Sequence, residues 1–338
     1  MKNTKIVFTA PKRAEVLYSD IPVPSGNQVV VNLQVSTISS GTERANLIGD
    51  KNLNVREAPC DALYPIQTGY SSAGIIHSVG ELVKDLKVGD RVALSWSTHS
   101  KYCIMDASNV HKIDDNISFS EAALCHIGTF PLAAIRKCRL EIGESAIVMG
   151  MGILGIIGLL QLKAAGAVPI IAADPIPEKR ELALKLGADY AFDPFSDTFA
   201  DDVKNITNGG VNVAIEVTGV GSALDGVLDC MAKFGRVALL GCTRNSDFTI
   251  DYYRKVHGPG VALYGAHTLA RPNTESSQGL WTTRDDVYAQ LRLISMGRID
   301  YKQLIDEVHS PLEAPEVYDR LANDRHFPIV QFDWSDIE

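Results

Sequence analysis

A chain of 338 residues, 46% hydrophobic and 22% charged, is long enough to bury more than one core and has the composition of a folded, water-facing protein. Its formal net charge of −9 argues against nucleic acid and anionic membrane as partners. No apolar run suffices to span a bilayer, because the stretch 147–162 is cut by glycines at 150, 152, 155 and 158.

The opening Met1-Lys-Asn-Thr-Lys5 leads directly into a strand pattern, with no signal-peptide architecture. Up to about residue 120 the chain reads as short β-type runs at 5–9, 15–18, 28–38, 72–79, 91–94 and 102–105, punctuated by turns such as 22–26 and 88–90. From 121 to 275 apolar strands (145–149, 168–173, 190–192, 213–217, 236–240, 260–265) alternate with helical stretches (178–186, 199–205, 222–231) and a loop through 252–257. That alternation predicts a parallel sheet with crossovers. Helical stretches at 286–296 and 315–323 and a closing strand at 329–334 follow, and the tail is expected to return to the first module. The expected division is 1–125 with 276–338 against 126–275. Six scattered cysteines, never spaced as CxxC, fit reduced thiols and a cytoplasmic location better than a disulfide framework.

The most informative stretch is Gly150-Met-Gly152-Ile153-Leu154-Gly155, which connects a short apolar strand to a helical run. Each glycine of GxGxxG has a physical task. The first permits a tight turn, the second lets a pyrophosphate approach the backbone, and the third lets the helix pack closely on the strand. The helix N-terminus then turns unpaired N–H groups toward the phosphates. The next strand ends in Asp174, nineteen residues after Gly155, placed to hydrogen-bond ribose hydroxyls. A carboxylate there favours NAD over NADP, because it would repel a 2′-phosphate, although Arg180 further along keeps NADP in play. The alternative is a structural glycine turn that binds nothing.

Further landmarks are Gly74-Ile-Ile-His-Ser-Val-Gly80, Val88-Gly-Asp-Arg-Val92, Lys185-Leu-Gly-Ala-Asp189, Ile215-Glu-Val-Thr218-Gly219 and Gly235-Arg-Val-Ala-Leu-Leu-Gly241. In this order, and over nearly the whole chain, they resemble the medium-chain dehydrogenase/reductase superfamily of zinc alcohol and polyol dehydrogenases. The resemblance implies an α/β protein, with a GroES-like β-rich substrate domain built from both chain ends and a Rossmann doubly wound parallel-sheet domain inserted between them. It also implies an NAD(P)-dependent enzyme that assembles as a homodimer or homotetramer and acts on a small molecule. The cofactor would meet Gly150, Gly152, Ile153, Leu154, Gly155, Asp174, Thr218, Gly219 and Gly241.

The chain departs from the zinc-dependent members where zinc would bind. Their Cys-Gly-Thr-Asp becomes Ser40-Gly-Thr42-Glu43, and their Gly-His-Glu becomes Gly69-Tyr70-Ser71. A hydroxyl and a phenol are poor ligands for a borderline-soft ion. The region of the structural-zinc lobe is bridged directly by 91–102, so no zinc is expected. An unorthodox site from Glu43, Cys125 and His126 is the alternative. Without metal another group must manage the proton as hydride moves. Tyr70 stands at a zinc-ligand position, Thr42 matches the family's proton-relay hydroxyl, Glu43 is a candidate base or orienter, and imidazole makes His126 a candidate acid/base. The bland readings are a core phenol, a polar turn at 40–42 and a helix-start carboxylate. Ser40, His267, Arg271 and Trp281 are substrate candidates, Arg271 as an anion or polyol binder and Trp281 as a stacking platform. The segment 265–284 reads equally as a subunit interface. The expected reaction is interconversion of a secondary alcohol and a ketone on a sugar, cyclitol or polyol derivative. The rivals are an NADPH-dependent quinone or enone reductase and a non-catalytic dinucleotide-binding protein.

Overall fold

The computed structural model describes residues 2–53, 61–324 and 326–337, so Cys60 lies outside the described residues. The chain forms two compact units, one from residues 1–127 and 287–338, the other from 128–286.

In the first unit β1 (Asn3–Ala10) and β2 (Arg13–Ser19) form an antiparallel hairpin. Then β3 (Gln28–Thr37) leads into α1 (Ser40–Ile48), and β4 (Ile66–Gln67) returns to β1. The strands β5 (Ser71–Val79), β6 (Arg91–Ser95), β7 (Tyr102–Asp106) and β8 (Val110–Lys112) follow. The helix α2 (Phe119–Ala122) starts in a reciprocal cap between Ser118 and Glu121, and α3 (Cys125–Lys137) carries the chain on into the second unit from residue 128. Valine-rich β3 pairs antiparallel with β5 and β7 and puts Val29, Val31 and Leu33 into the core with Phe332 and Trp334. At about 1.5–3 kcal/mol per buried large aliphatic or aromatic side chain, this cluster supplies much of the unit's cohesion. The residues 40–42, for which a polar turn is the bland reading, form the first turn of α1, with Glu43 a helix-start carboxylate and Ala45 and Leu47 buried.

The second unit runs β9 (Ala146–Met149), α4 (Ile153–Ala165), β10 (Ile170–Ala173), α5 (Pro177–Leu186), β11 (Tyr190–Phe192) and α6 (Phe199–Ile206). It continues with β12 (Val211–Glu216), α7 (Gly221–Asp229), β13 (Met231–Leu239) and β14 (Ala262–Gly265). The sheet order is β11-β10-β9-β12-β13-β14, parallel throughout. The chain leaves β9 toward one edge and later crosses to its other side, so the strand order reverses beside β9. Strands β9 and β10 are buried on both faces, which is why each reads as an unbroken apolar run. The expected loop at 252–257 contains a single π-helical turn, Tyr253–His257.

Four further elements close the chain: α8 (Thr283–Ser295), β15 (Glu307–His309), α9 (Ala314–Asn323) and β16 (Val330–Asp333). Strand β16 pairs antiparallel with β3, so the two ends of the chain share one sheet. The residues 276–286, expected with the terminal module, belong to the second unit. No helix among the described residues is long and apolar enough to cross a membrane.

Candidate active site

In the second unit the glycine turn sits at the C-terminal end of β9. Gly150 has φ +102°, and a Cβ there would stand 2.8 Å from Thr218 Cγ2. A Cβ at Gly155 would be driven into the carbonyl oxygen of Gly150, so the third glycine sets how closely α4 lies on the turn. At Gly152 a Cβ would meet nothing within 4 Å. Gly152 is exposed and precedes Ile153 and half-buried Leu154, whose N–H groups belong to the open first turn of α4. The turn therefore has the tight bend, the close packing and the open face that a pyrophosphate requires.

Asp174 follows β10 and is buried. Its Oδ2 accepts the Met151 N–H at 2.7 Å and its Oδ1 accepts the Ile176 N–H at 2.9 Å. The carboxylate thus fastens the glycine turn to the end of β10, while each oxygen retains a second lone pair. Arg180 is turned to the Asp174 carbonyl, 2.7 Å from Nη1, with Asp193 at 3.7 Å. Thr218 and Gly219 follow β12, where buried Glu216 accepts their N–H groups; burial pushes that carboxyl up. Gly219 has φ +67°, and a Cβ there would come within 2.6 Å of the Cys242 carbonyl carbon. A Cβ at Gly241 would strike the Gly219 N–H. The expected cofactor positions therefore share one edge of the sheet, at the ends of β9, β10, β12 and β13.

The first unit holds the hydroxyl-bearing residues. Tyr70 immediately precedes β5 and Trp96 immediately follows β6, and the pairing of Ser71 with Ser95 sets them side by side. The Trp96 N–H donates to the Tyr70 carbonyl at 2.9 Å. Trp96 adopts φ +63°, a left-handed conformation that a bulky residue holds only at a cost. The buried His126 imidazole meets the Trp96 ring edge-on at 4.6 Å and the Tyr70 ring at 5.7 Å. The Tyr70 hydroxyl hydrogen-bonds Ser39 Oγ. Sequence reasoning missed Ser39 and Trp96. Ser39 adjoins the Ser-Gly-Thr-Glu motif, which was a usable signal; nothing in the sequence tied Trp96 to Tyr70.

Glu43 does not serve as an open base. Its carboxylate is fully buried, with Oε1 accepting the Ser39 N–H at 2.7 Å and Oε2 shared by His99 Nε2 at 3.1 Å and the Tyr318 hydroxyl. Burial, reinforced by the Glu43 charge, raises the Tyr318 phenol well above its ordinary value, so it remains a donor. Ser40 and Thr42 lie half-buried in the first turn of α1. Cys125 is fully buried, its Sγ directed at the Glu121 carbonyl and its thiol pushed up by burial. The donor set does not suit zinc: Ser40 and Tyr70 stand where thiolate and imidazole would be, and Glu43 has both oxygens engaged. Among the described residues no three His, Cys, Asp or Glu side chains converge on a common point.

The expected substrate group at 265–284 takes a different part. Arg271 is buried, its guanidinium held by the Thr129 carbonyl at 2.8 Å and by Asp286 at 3.4 Å. Asp286 also accepts from Arg136 Nε at 2.8 Å. Burial alone would lower the Arg271 guanidinium and raise the Asp286 carboxyl, and the ion pair opposes both. Trp281 lies beneath the Arg136 guanidinium, 3.5 Å from ring centroid to Cζ. His267 Nδ1 accepts the Leu269 N–H. Arg271 and Trp281 thus have partners within the fold, Asp286 on α8 and Arg136 on α3, and the sequence reading contains no helix over 125–137. Trp281→Leu is expected to lower stability by about 0.5–2 kcal/mol in denaturant melts, the range of a cation–π contact, with KM unchanged. A raised KM at unchanged stability would restore the stacking role.

A family model described as Alcohol dehydrogenase GroES-like domain matches residues 27–137, and one described as Zinc-binding dehydrogenase matches residues 154–277. The chain is 28% identical to L-threonine 3-dehydrogenase of Pyrococcus furiosus, over 93% of this chain and 94% of that protein. It is 25% identical to D-guloside 3-dehydrogenase of Escherichia coli, again over 93% and 94%. Galactitol-1-phosphate dehydrogenase from Escherichia coli shares the fold with a TM-score of 0.85 at 18% identity, covering 98% of this chain and 99% of that one.

Proposed function

The chain belongs to the medium-chain dehydrogenase/reductase superfamily and is an oxidoreductase, and from that premise we propose its reaction. It transfers hydride between NAD(H) and a secondary alcohol or ketone of a polar substrate, a sugar, cyclitol or polyol derivative, without catalytic zinc. The observation that carries this reading is the Tyr70–Ser39 hydroxyl pair, set against His126 and Trp96 where the family's metal ligands would stand. Threonine and a guloside, for which two relatives are named, each bear a secondary hydroxyl, which supports the reaction type.

A bound nicotinamide dinucleotide supplies or accepts the hydride. The residues of this chain manage the proton. The Tyr70 phenol can donate its proton to the oxygen of a ketone as it is reduced. Ser39 orients that phenol and offers a second hydroxyl to the same oxygen. The rings of Trp96 and His126 pack beside the phenol ring and set its orientation. Ser39, Tyr70 and His126 supply the polar groups that support a hydroxyl-bearing substrate. In the second unit the open face of Gly152 admits the pyrophosphate, and Asp174 offers its remaining lone pairs to the adenosine ribose.

The test is fluorescence titration with NADH and NADPH, followed by turnover of secondary alcohols, ketones and quinones with and without a chelator. NADH is expected to bind at least about tenfold more tightly, because a 2′-phosphate would face Asp174. Turnover should survive chelation. Preference for NADPH with quinones would replace this reading with a quinone reductase, and activity that vanishes with zinc removal would restore the metal. Tight dinucleotide binding without turnover would make the protein a non-catalytic binder.

A further inference from the structure

We propose that His99 is a positioning residue for the Tyr70–Ser39 hydroxyl pair, holding both partners in place from behind. The inference rests on the reading of Tyr70 as proton donor.

Two separate contacts lead from the imidazole to the pair. The first runs through Glu43: His99 Nε2 meets Glu43 Oε2 at 3.1 Å, and Glu43 Oε1 accepts the N–H of Ser39, whose hydroxyl meets Tyr70. The second is direct packing on the residue before Tyr70. Gly69 has φ +96°, and a Cβ there would stand 2.8 Å from His99 Cδ2, 3.0 Å from His99 Cγ and 2.9 Å from the His99 backbone nitrogen, so the imidazole occupies the side of the chain that delivers Tyr70. His99 is wholly buried. It is enclosed by Glu43 of α1, Ser36 of β3, Tyr318 of α9 and Phe332 of β16.

The hydrogen-bond inventory fixes how the ring is used. Trp334 Nε1 can only donate, and it does so to Ser36 Oγ at 2.8 Å. The Ser36 hydroxyl proton then has His99 Nδ1, at 2.7 Å, as its acceptor. Nδ1 accepting leaves Nε2 to donate, and its partner is the Glu43 carboxylate, which also receives the Tyr318 hydroxyl and the Ser39 N–H. One directional chain, Trp334 to Ser36 to His99 to Glu43, satisfies every buried group in it. Such a network specifies a single arrangement. Its last member is the carboxylate that holds Ser39.

The experiment is a double-mutant cycle with His99→Leu and Tyr70→Phe, with His99→Gln as the conservative rescue because its amide can still donate to Glu43. His99→Leu is expected to lower kcat roughly 10–100-fold with KM held, the range of a displaced catalytic group, and to move the alkaline limb of the kcat–pH profile. His99→Gln should recover most of the loss. In the Tyr70→Phe background His99→Leu should add nothing further, because the group it positions is gone. A full additional loss there would overturn the proposal, as would unchanged kcat in folded His99→Leu. If Tyr70→Phe alone left kcat unchanged, the catalytic reading itself would fall, whatever His99 does. Should His99→Leu not fold, Ser36→Ala takes its place in the cycle. Histidine nitrogen NMR on the intact protein should also show His99 as the Nε2–H tautomer, and the Nδ1–H tautomer would sink the idea.

Discussion

Tyr70→Phe is expected to lower kcat about 10²–10⁴-fold, the usual share of a positioned acid or base, with a much smaller change in KM. The substitution keeps the ring, and so the edge contact with His126 and the tilted contact with Trp96; it removes only the hydroxyl bonded to Ser39. The fold should be undisturbed, since Tyr70 is only half-buried and its neighbours Trp96 and Ser71 are held by the β5–β6 ladder. The check is steady-state kinetics beside a thermal melt. A tenfold fall or less would return Tyr70 to the bland reading of a packed phenol and move attention to His126.

The two helix-side glycines of the turn predict opposite signatures. Gly155→Ala puts a methyl into the Gly150 carbonyl, an obstacle of backbone that no side-chain rotation relieves. Either α4 moves off the turn or the turn opens, at a cost of about 1–3 kcal/mol or more, and dinucleotide binding is lost with the geometry. Gly152→Ala, by contrast, meets nothing within 4 Å and has an ordinary φ of −79°. Its melting temperature should be unchanged while NADH binding weakens, because the methyl occupies the place where phosphate oxygens approach. Calorimetric titration with parallel melts separates the cases. Equal affinity of Gly152→Ala and wild type would remove the pyrophosphate from this turn.

Much of the second unit was legible in the sequence because its signals are local. Apolar runs such as 146–149 and 170–173 are strands buried on both faces, and the three glycines of the turn fall within six residues of one another. The first unit's site was only half legible. Tyr70 could be named from its place in a motif, but Trp96 joins it through strand register, which the sequence does not carry. Glu43 looked like a free carboxylate because its partners, His99 and Tyr318, lie 56 and 275 positions away. Arg271 and Trp281 stand as substrate candidates in the sequence for the same reason: a polar stretch after a last strand says nothing of the acid and the guanidinium on other helices that contact it.

The bond between Trp334 and Ser36 spans 298 positions of chain. On a ribosome that interval is a wait. Strand β3 and α1 leave the exit tunnel long before α9 and β16 exist, so Ser36 and Glu43 spend most of synthesis without Trp334 and Tyr318. The inserted unit has all its strands in hand before the outer one does, and domains commonly fold as they emerge. The outer unit must then be finished from its far end, by β16, with β15 on its other side, closing onto a sheet that has stood open since early translation. A nascent chain stalled before residue 330 should accordingly expose the β3 edge to chaperones, with its nucleotide-binding half already complete.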